Sequence, residues 1–144
     1  MTLPRRKIFI TLVLLVIFCQ LIPISRTNPP VTSELETSQG LKNILLRSCF
    51  DCHSHETTWP WYSWVAPISW LVAIDVHEGR SHLNFSTWGE YSPENQVKLR
   101  KKIGESVREG EMPPFQYFPM HPDAHLSEQD KAVILSWSGT GAGQ

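Results

Sequence analysis

Cys49-Phe50-Asp51-Cys52-His53 is a C-x-x-C-H run. Two thiols three residues apart share one side of a helical turn, and an imidazole follows at once. That spacing is the one used for c-type haem attachment. The two thiols reach the two vinyl groups on one porphyrin edge, and the imidazole points across the macrocycle to meet the iron. Cys49 and Cys52 are therefore the expected covalent attachment points and His53 the proximal ligand. The motif occurs once, so one haem c per chain is expected.

The same residues admit other chemistry. Zinc takes four ligands, which Cys49, Cys52, His53 or His55, and His77 could supply, although there is no second Cys pair. A thioredoxin-like dithiol wants a βαβ context, which the sequence lacks. A disulfide across so short a loop would constrain little. For the sixth iron position Met112 leads. It sits in Gly110-Glu111-Met112-Pro113-Pro114, where two prolines stiffen the backbone that would carry a flexible, weakly donating thioether. Met120, between Pro119 and His121, has a less constrained setting. His77, on a helix, is the bis-histidine alternative; His82, His121 and His125 are weaker candidates, and His55 lies too close to the attachment turn. Trp59, Trp61 and Trp70, in an aromatic cluster with Tyr62 and Trp64, are expected to line a haem pocket. Arg80 is expected to pair with a propionate, its alternative being a solvated helix-end arginine.

The elements that must position these groups read as helices. Leu41, Ile44, Leu45 and Cys49 follow helical spacing, as do Ile68, Leu71, Val72 and Val76 within a helix expected over Ile68–Arg80. Ser92-Pro93-Glu94 resembles a helix start, and the helix ends near Gly110. A last helix opens at Ser127 and stops before Gly139. Residues 54–67 read as an irregular aromatic loop. No alternating strand pattern of useful length appears, so the fold class is all-α.

Ahead of these helices, Arg5, Arg6 and Lys7 precede an apolar run from Ile8 to Ile24. This pattern predicts an uncleaved transmembrane helix or a cleaved signal segment over residues 1–26. The weak small-residue pattern after the run favours the anchor. With the basic cluster cytoplasmic, the expected location is the inner membrane, single pass, with the haem domain in the periplasm; the alternative is a soluble periplasmic protein after cleavage. Residues 27–40 read as a linker, 41–138 as the haem-binding domain and 139–144 as a flexible tail.

Composition excludes several classes. Hydrophobic residues make up 41% and charged residues 19%, which rules out a disordered chain, and 3 Cys are too few for a disulfide-stapled scaffold. The net charge of −1 excludes a typical nucleic-acid binder. Six Trp in 144 residues suggest an interior built around something broad and apolar. No nucleophile–base pair, phosphate loop or paired-carboxylate pattern points to a hydrolase or transferase.

The stretch from Cys49 to Trp88, followed by GEMPP, HPDAHLS and a closing Trp137, resembles the bacterial haem-binding domain family of cytochrome-c-like proteins. Thr58-Trp59-Pro60-Trp61-Tyr62-Ser63, His77-x-Gly79-Arg80 and Leu83-Asn84-Phe85-Ser86 carry the resemblance beyond the C-x-x-C-H itself. It implies a monohaem domain, of cytochrome c type, held by Cys49 and Cys52 with His53 proximal. The resulting expectation is a single-electron carrier that serves redox partner proteins and is not an enzyme. The alternatives are a haem-based sensor with an open or labile sixth position, and a peroxidase.

Overall fold

The computed structural model of the protein describes residues 4–141. Among them there is no strand, and six α-helices follow one another: α1 (Arg5–Gln20), α2 (Gln39–Ser48), α3 (Phe50–His53), α4 (Ile68–His82), α5 (Pro93–Glu109) and α6 (Glu128–Ser138). Short 3-10 helices at Trp61–Trp64, Phe85–Glu90, Phe115–Tyr117 and Pro122–Ala124 punctuate the loops.

Local chemistry explains most of the helix ends. Ser92 accepts a hydrogen bond from the Asn95 amide with Pro93 in the first turn, and Gly110 closes α5 in the left-handed conformation at φ 74°. Ser127 and Asp130 form a reciprocal capping box at the start of α6. The core joins these helices to the attachment turn. Phe50 stacks on Phe85 at 5.1 Å, Phe85 on Trp88 at 6.1 Å, and Trp88 meets Trp137 of α6 at 6.0 Å. Leu41 and Leu45 of α2 and Ile134 of α6 are almost fully buried around this stack. Trp88 and Trp137 thus fill the protein's own core.

The expected transmembrane helix is not supported. The apolar run does form α1, but its 16 residues would cover only about 24 Å, against roughly 30 Å of bilayer hydrocarbon. No helix among the described residues is long and apolar enough to cross a membrane. The single-pass inner-membrane location with a periplasmic domain, which rested on that helix, falls with it. The physical reason lies at the end of α1. The Gln20 amide donates to the Trp64 carbonyl at 2.7 Å and accepts from the Ala66 N–H at 3.0 Å. Pro23 then has no N–H with which to continue a helix.

Of residues 27–40, read as a linker, 27–38 lie outside any helix and are bonded to the domain as far as Leu35, while Gln39 and Gly40 already belong to α2. Asn28 donates to the Thr57 carbonyl at 2.9 Å, the Pro30 carbonyl accepts from His55 at 2.8 Å, and Leu35 N–H donates to the Phe85 carbonyl at 3.0 Å. At the other end, Thr140 and Gly141 N–H groups donate to the Leu135 carbonyl at 3.1 and 2.9 Å. Of the tail expected to be flexible, residues 142–144 lie outside the described residues.

Candidate functional site

The attachment turn owes its shape to Phe50. That side chain is 3% exposed in the core stack, so the opposite side of α3 must face outward from the core. Cys49 ends α2, and its carbonyl accepts from the Cys52 and His53 N–H groups at 3.2 and 3.0 Å. Cys49, Cys52 and His53 thereby come onto the wall of one cleft of about 570 Å³, a size suited to a small organic cofactor. α4 forms a second wall with Ile68, Leu71 and Val72, Trp61 and Tyr62 form a third, and Met112, Tyr117 and Met120 a fourth.

His53 is oriented by the end of α4. Its Nδ1 lies 2.9 Å from the Gly79 carbonyl oxygen and 3.2 Å from that of Leu83. Carbonyls only accept, so Nδ1 carries the proton and Nε2 keeps its lone pair. Burial lowers the imidazole's pKa and so favours the neutral form a metal needs. Gly79 permits this arrangement. A Cβ there would press on the Cys52 carbonyl oxygen and lie 2.9 Å from its carbon and 3.0 Å from the Cys52 Cβ.

The thiols are in apolar surroundings. Burial pushes Cys49 up to about 12 and Cys52 to about 11, each helped by a neighbouring negative group. A dithiol redox centre requires the reverse shift. The zinc reading also loses its donors. Among the described residues no three His, Cys, Asp or Glu side chains converge as a metal site. His55 has both ring nitrogens engaged, Nδ1 with the Pro30 carbonyl and Nε2 with the Asn84 amide at 2.7 Å.

The other expected site residues divide. Met112, Met120 and Trp61 line the cleft, and His82 joins them at its edge. Met112 is 42% and Met120 51% exposed. The Met112 N–H donates to the Ser106 carbonyl at 3.3 Å, which ties its backbone to the last turn of α5. His77 is exposed on α4 and lies outside the cleft, so the bis-histidine alternative through it has no geometric support. Trp59 and Trp70 also lie outside the lining; Trp59 donates to Asn28 Oδ1 at 3.2 Å.

Arg80 is corrected most plainly. Its Nε donates to the Ser54 carbonyl at 2.7 Å and Nη1 to the Thr27 carbonyl at 2.9 Å. Its Nη2 donates to Asn28 Oδ1 at 2.9 Å and Thr57 Oγ1 at 2.8 Å. Four of its five N–H groups are spent fastening the N-terminal segment and the loop after the attachment turn. It has no free fork for a carboxylate.

Sequence reasoning missed several lining residues, Ser48, Asp51 and Tyr117 among them. Ser48 Oγ, on the cleft lining, is buried and has no hydrogen-bond partner among the described residues. Asp51, inside the motif itself, accepts from the Tyr117 hydroxyl at 2.5 Å and from the Thr58 N–H at 2.8 Å. Burial first, and then that carboxylate, raises the Tyr117 pKa, so the phenol stays the donor. Tyr62 Oη and His121 Nε2 are bonded at 2.7 Å. Only the position of Asp51 between the cysteines offered a signal in the sequence.

This donor set fits haem. Two thiols stand on one wall with a tautomer-locked imidazole beside them, α4 opposite contributes Ile68, Leu71 and Val72 together with Asp75 and Glu78, and the buried Ser48 hydroxyl is unpaired among the described residues. No curated protein and no solved structure matches the chain, but a family model described as "Haem-binding domain" matches residues 14–140. With that match over most of its length, the chain belongs to the haem-binding domain family.

Proposed function

We propose that this haem-binding protein is a monohaem c-type cytochrome that carries single electrons. The observation that carries the reading is His53, whose Nδ1 is held by the Gly79 and Leu83 carbonyls while Nε2 is left open beside Cys49 and Cys52. Haem, when bound, supplies one-electron exchange at its iron. Cys49 and Cys52 would hold it through thioethers, and His53 Nε2 and Met112 would ligate its iron. Ile68, Leu71 and Val72 of α4 exclude water from one side. The two carbonyls keep the imidazole in one orientation, so little reorganisation accompanies a change of charge.

The test is to produce the chain with haem maturation and follow the pigment through denaturing electrophoresis and acid–organic extraction. The pigment should stay with wild-type protein and be extracted from the Cys49→Ala, Cys52→Ala double variant. Extraction from wild type would refute covalent attachment. Titration should give one reversible one-electron step.

The exposure of Met112 and Met120 favours one further reading, a ligand-binding module with a labile sixth position. Rapid CO binding by the reduced wild-type protein would establish it in place of the closed carrier.

A further inference from the structure

The chain between α5 and α6 is a strap that forms one wall of the cleft and carries both lining methionines. Its root is fixed: the Glu111 and Met112 N–H groups donate to the Ser106 carbonyl, and Pro113 is buried. Its far end is fixed too, because Arg47 Nε donates to the Asp123 carbonyl at 3.1 Å and Ala124 is buried. Between these ends most side chains are exposed, Phe115 at 83%. Two contacts tie down this middle part. Tyr117 donates to Asp51 Oδ2 at 2.5 Å, and His121 is bonded to Tyr62 at 2.7 Å. The Tyr117 and His121 rings stack at 3.9 Å with an interplanar angle of 7°, which joins the two ties into one unit.

The partners of these ties lie on the other walls of the cleft. Asp51 is part of the attachment turn, and its second oxygen is held by the Thr58 N–H. Tyr62 belongs to the aromatic wall. The strap is therefore pinned at mid-span to the turn that presents Cys49, Cys52 and His53.

We infer that Tyr117 is a positioning residue: its hydrogen bond to Asp51 holds the part of the strap beyond the fixed Met112 backbone against the Cys49–His53 turn, which keeps external ligands from reaching the iron and displacing the Met112 side chain. This rests on the proposed assignment of Met112 as sixth ligand. The phenol touches no reacting atom in this role. It acts through the strap.

The experiment compares haem-loaded wild type with Tyr117→Phe, Tyr62→Phe and Met112→Ala, using far-UV circular dichroism, the methionine-to-ferric-iron charge-transfer band and CO association with the reduced form. Tyr117→Phe keeps the ring and its stacking while removing the donor. Losing a hydrogen bond to a carboxylate should raise the open fraction, and with it the CO association rate, about tenfold or more, with a weaker charge-transfer band and an unchanged helical spectrum. Tyr62→Phe should act in the same direction. Wild-type CO kinetics and band strength in both tyrosine variants would overturn the latch. If Met112→Ala alone leaves the band intact, the ligand assignment fails and the latch, as stated, fails with it. If Met112→Ala abolishes the band while Tyr117→Phe does not alter it, only the latch fails. Should Tyr117→Phe not fold, Tyr62→Phe carries the test, and wild-type behaviour there counts against the latch.

Discussion

Replacing Gly79 by Ala adds one methyl group to a helix interior, where it would ordinarily stabilise the chain. The structure reverses the sign. The new Cβ meets the Cys52 carbonyl oxygen, its carbon at 2.9 Å and the Cys52 Cβ at 3.0 Å. These are backbone atoms and the root of a side chain, so no flexible end can swing aside. α4 must back away from the attachment turn. Overpacking of this kind costs about 1–3 kcal/mol, or more where backbone must move, against a propensity gain of about 1 kcal/mol for Ala over Gly. Because the clash is with backbone atoms, the upper part of that cost, about 2–3 kcal/mol, applies and leaves a net loss of about 1–2 kcal/mol, a fall of roughly 0.5–1 M in the urea midpoint for an m-value near 2 kcal/mol/M. Gly40 of α2 is the matched control, since nothing lies within 4 Å of a Cβ placed there. Gly40→Ala should unfold at the same or slightly higher urea. The displacement also moves the Gly79 carbonyl, 2.9 Å from His53 Nδ1, so the haem-loaded Gly79→Ala protein should show an altered proximal-ligand signature by resonance Raman spectroscopy. Equal urea midpoints for Gly79→Ala and Gly40→Ala, together with an unchanged iron–imidazole frequency, would refute the argument that close helix–turn packing sets the histidine.

Two further predictions concern the frame around the site. Arg80→Lys cannot reproduce the four donations to Ser54, Thr27, Asn28 and Thr57, and should lower stability by about 2–4 kcal/mol with the visible spectrum and potential unchanged; a shifted potential with unchanged thermal stability would mean that Arg80 serves the cofactor after all. The Asp130 carboxyl is held below its ordinary value, first by the Ser127 hydroxyl and also by Arg47 at 2.6 Å. Its folded pKa is depressed, so its contribution is present above the ordinary carboxylate value and is lost as pH falls through the folded one. Asp130→Asn should therefore flatten the acid limb of the melting-temperature profile, and an unchanged limb would count against this linkage.

Much of the site was legible because it is local. Cys49, Cys52 and His53 fall within one turn, and the spacing alone brings them to one wall. The start of α5 at Ser92-Pro93, its end at Gly110 and the capping box at Ser127 are likewise set by neighbours in the chain. The tryptophans could not be sorted in this way. Trp61 lines the cleft and Trp88 fills the core although both are aromatic residues after the same motif, because the difference depends on which partners surround them.

The amino-acid sequence by itself determined the helical class, the helix caps and the placing of Cys49, Cys52 and His53 on one turn, since each depends on residues within about a turn of one another. Pro23 limits α1 locally, but only the tertiary structure shows what holds its end, because Gln20 reaches the Trp64–Ala66 loop, 44 and 46 residues away. It also decided that Arg80 fastens Thr27 and Asn28, and that Tyr117 meets Asp51 across 66 residues. A side chain's type says which bonds it can make. Only the packed chain, which removes water and brings distant partners within about 3 Å, selects the ones it does make.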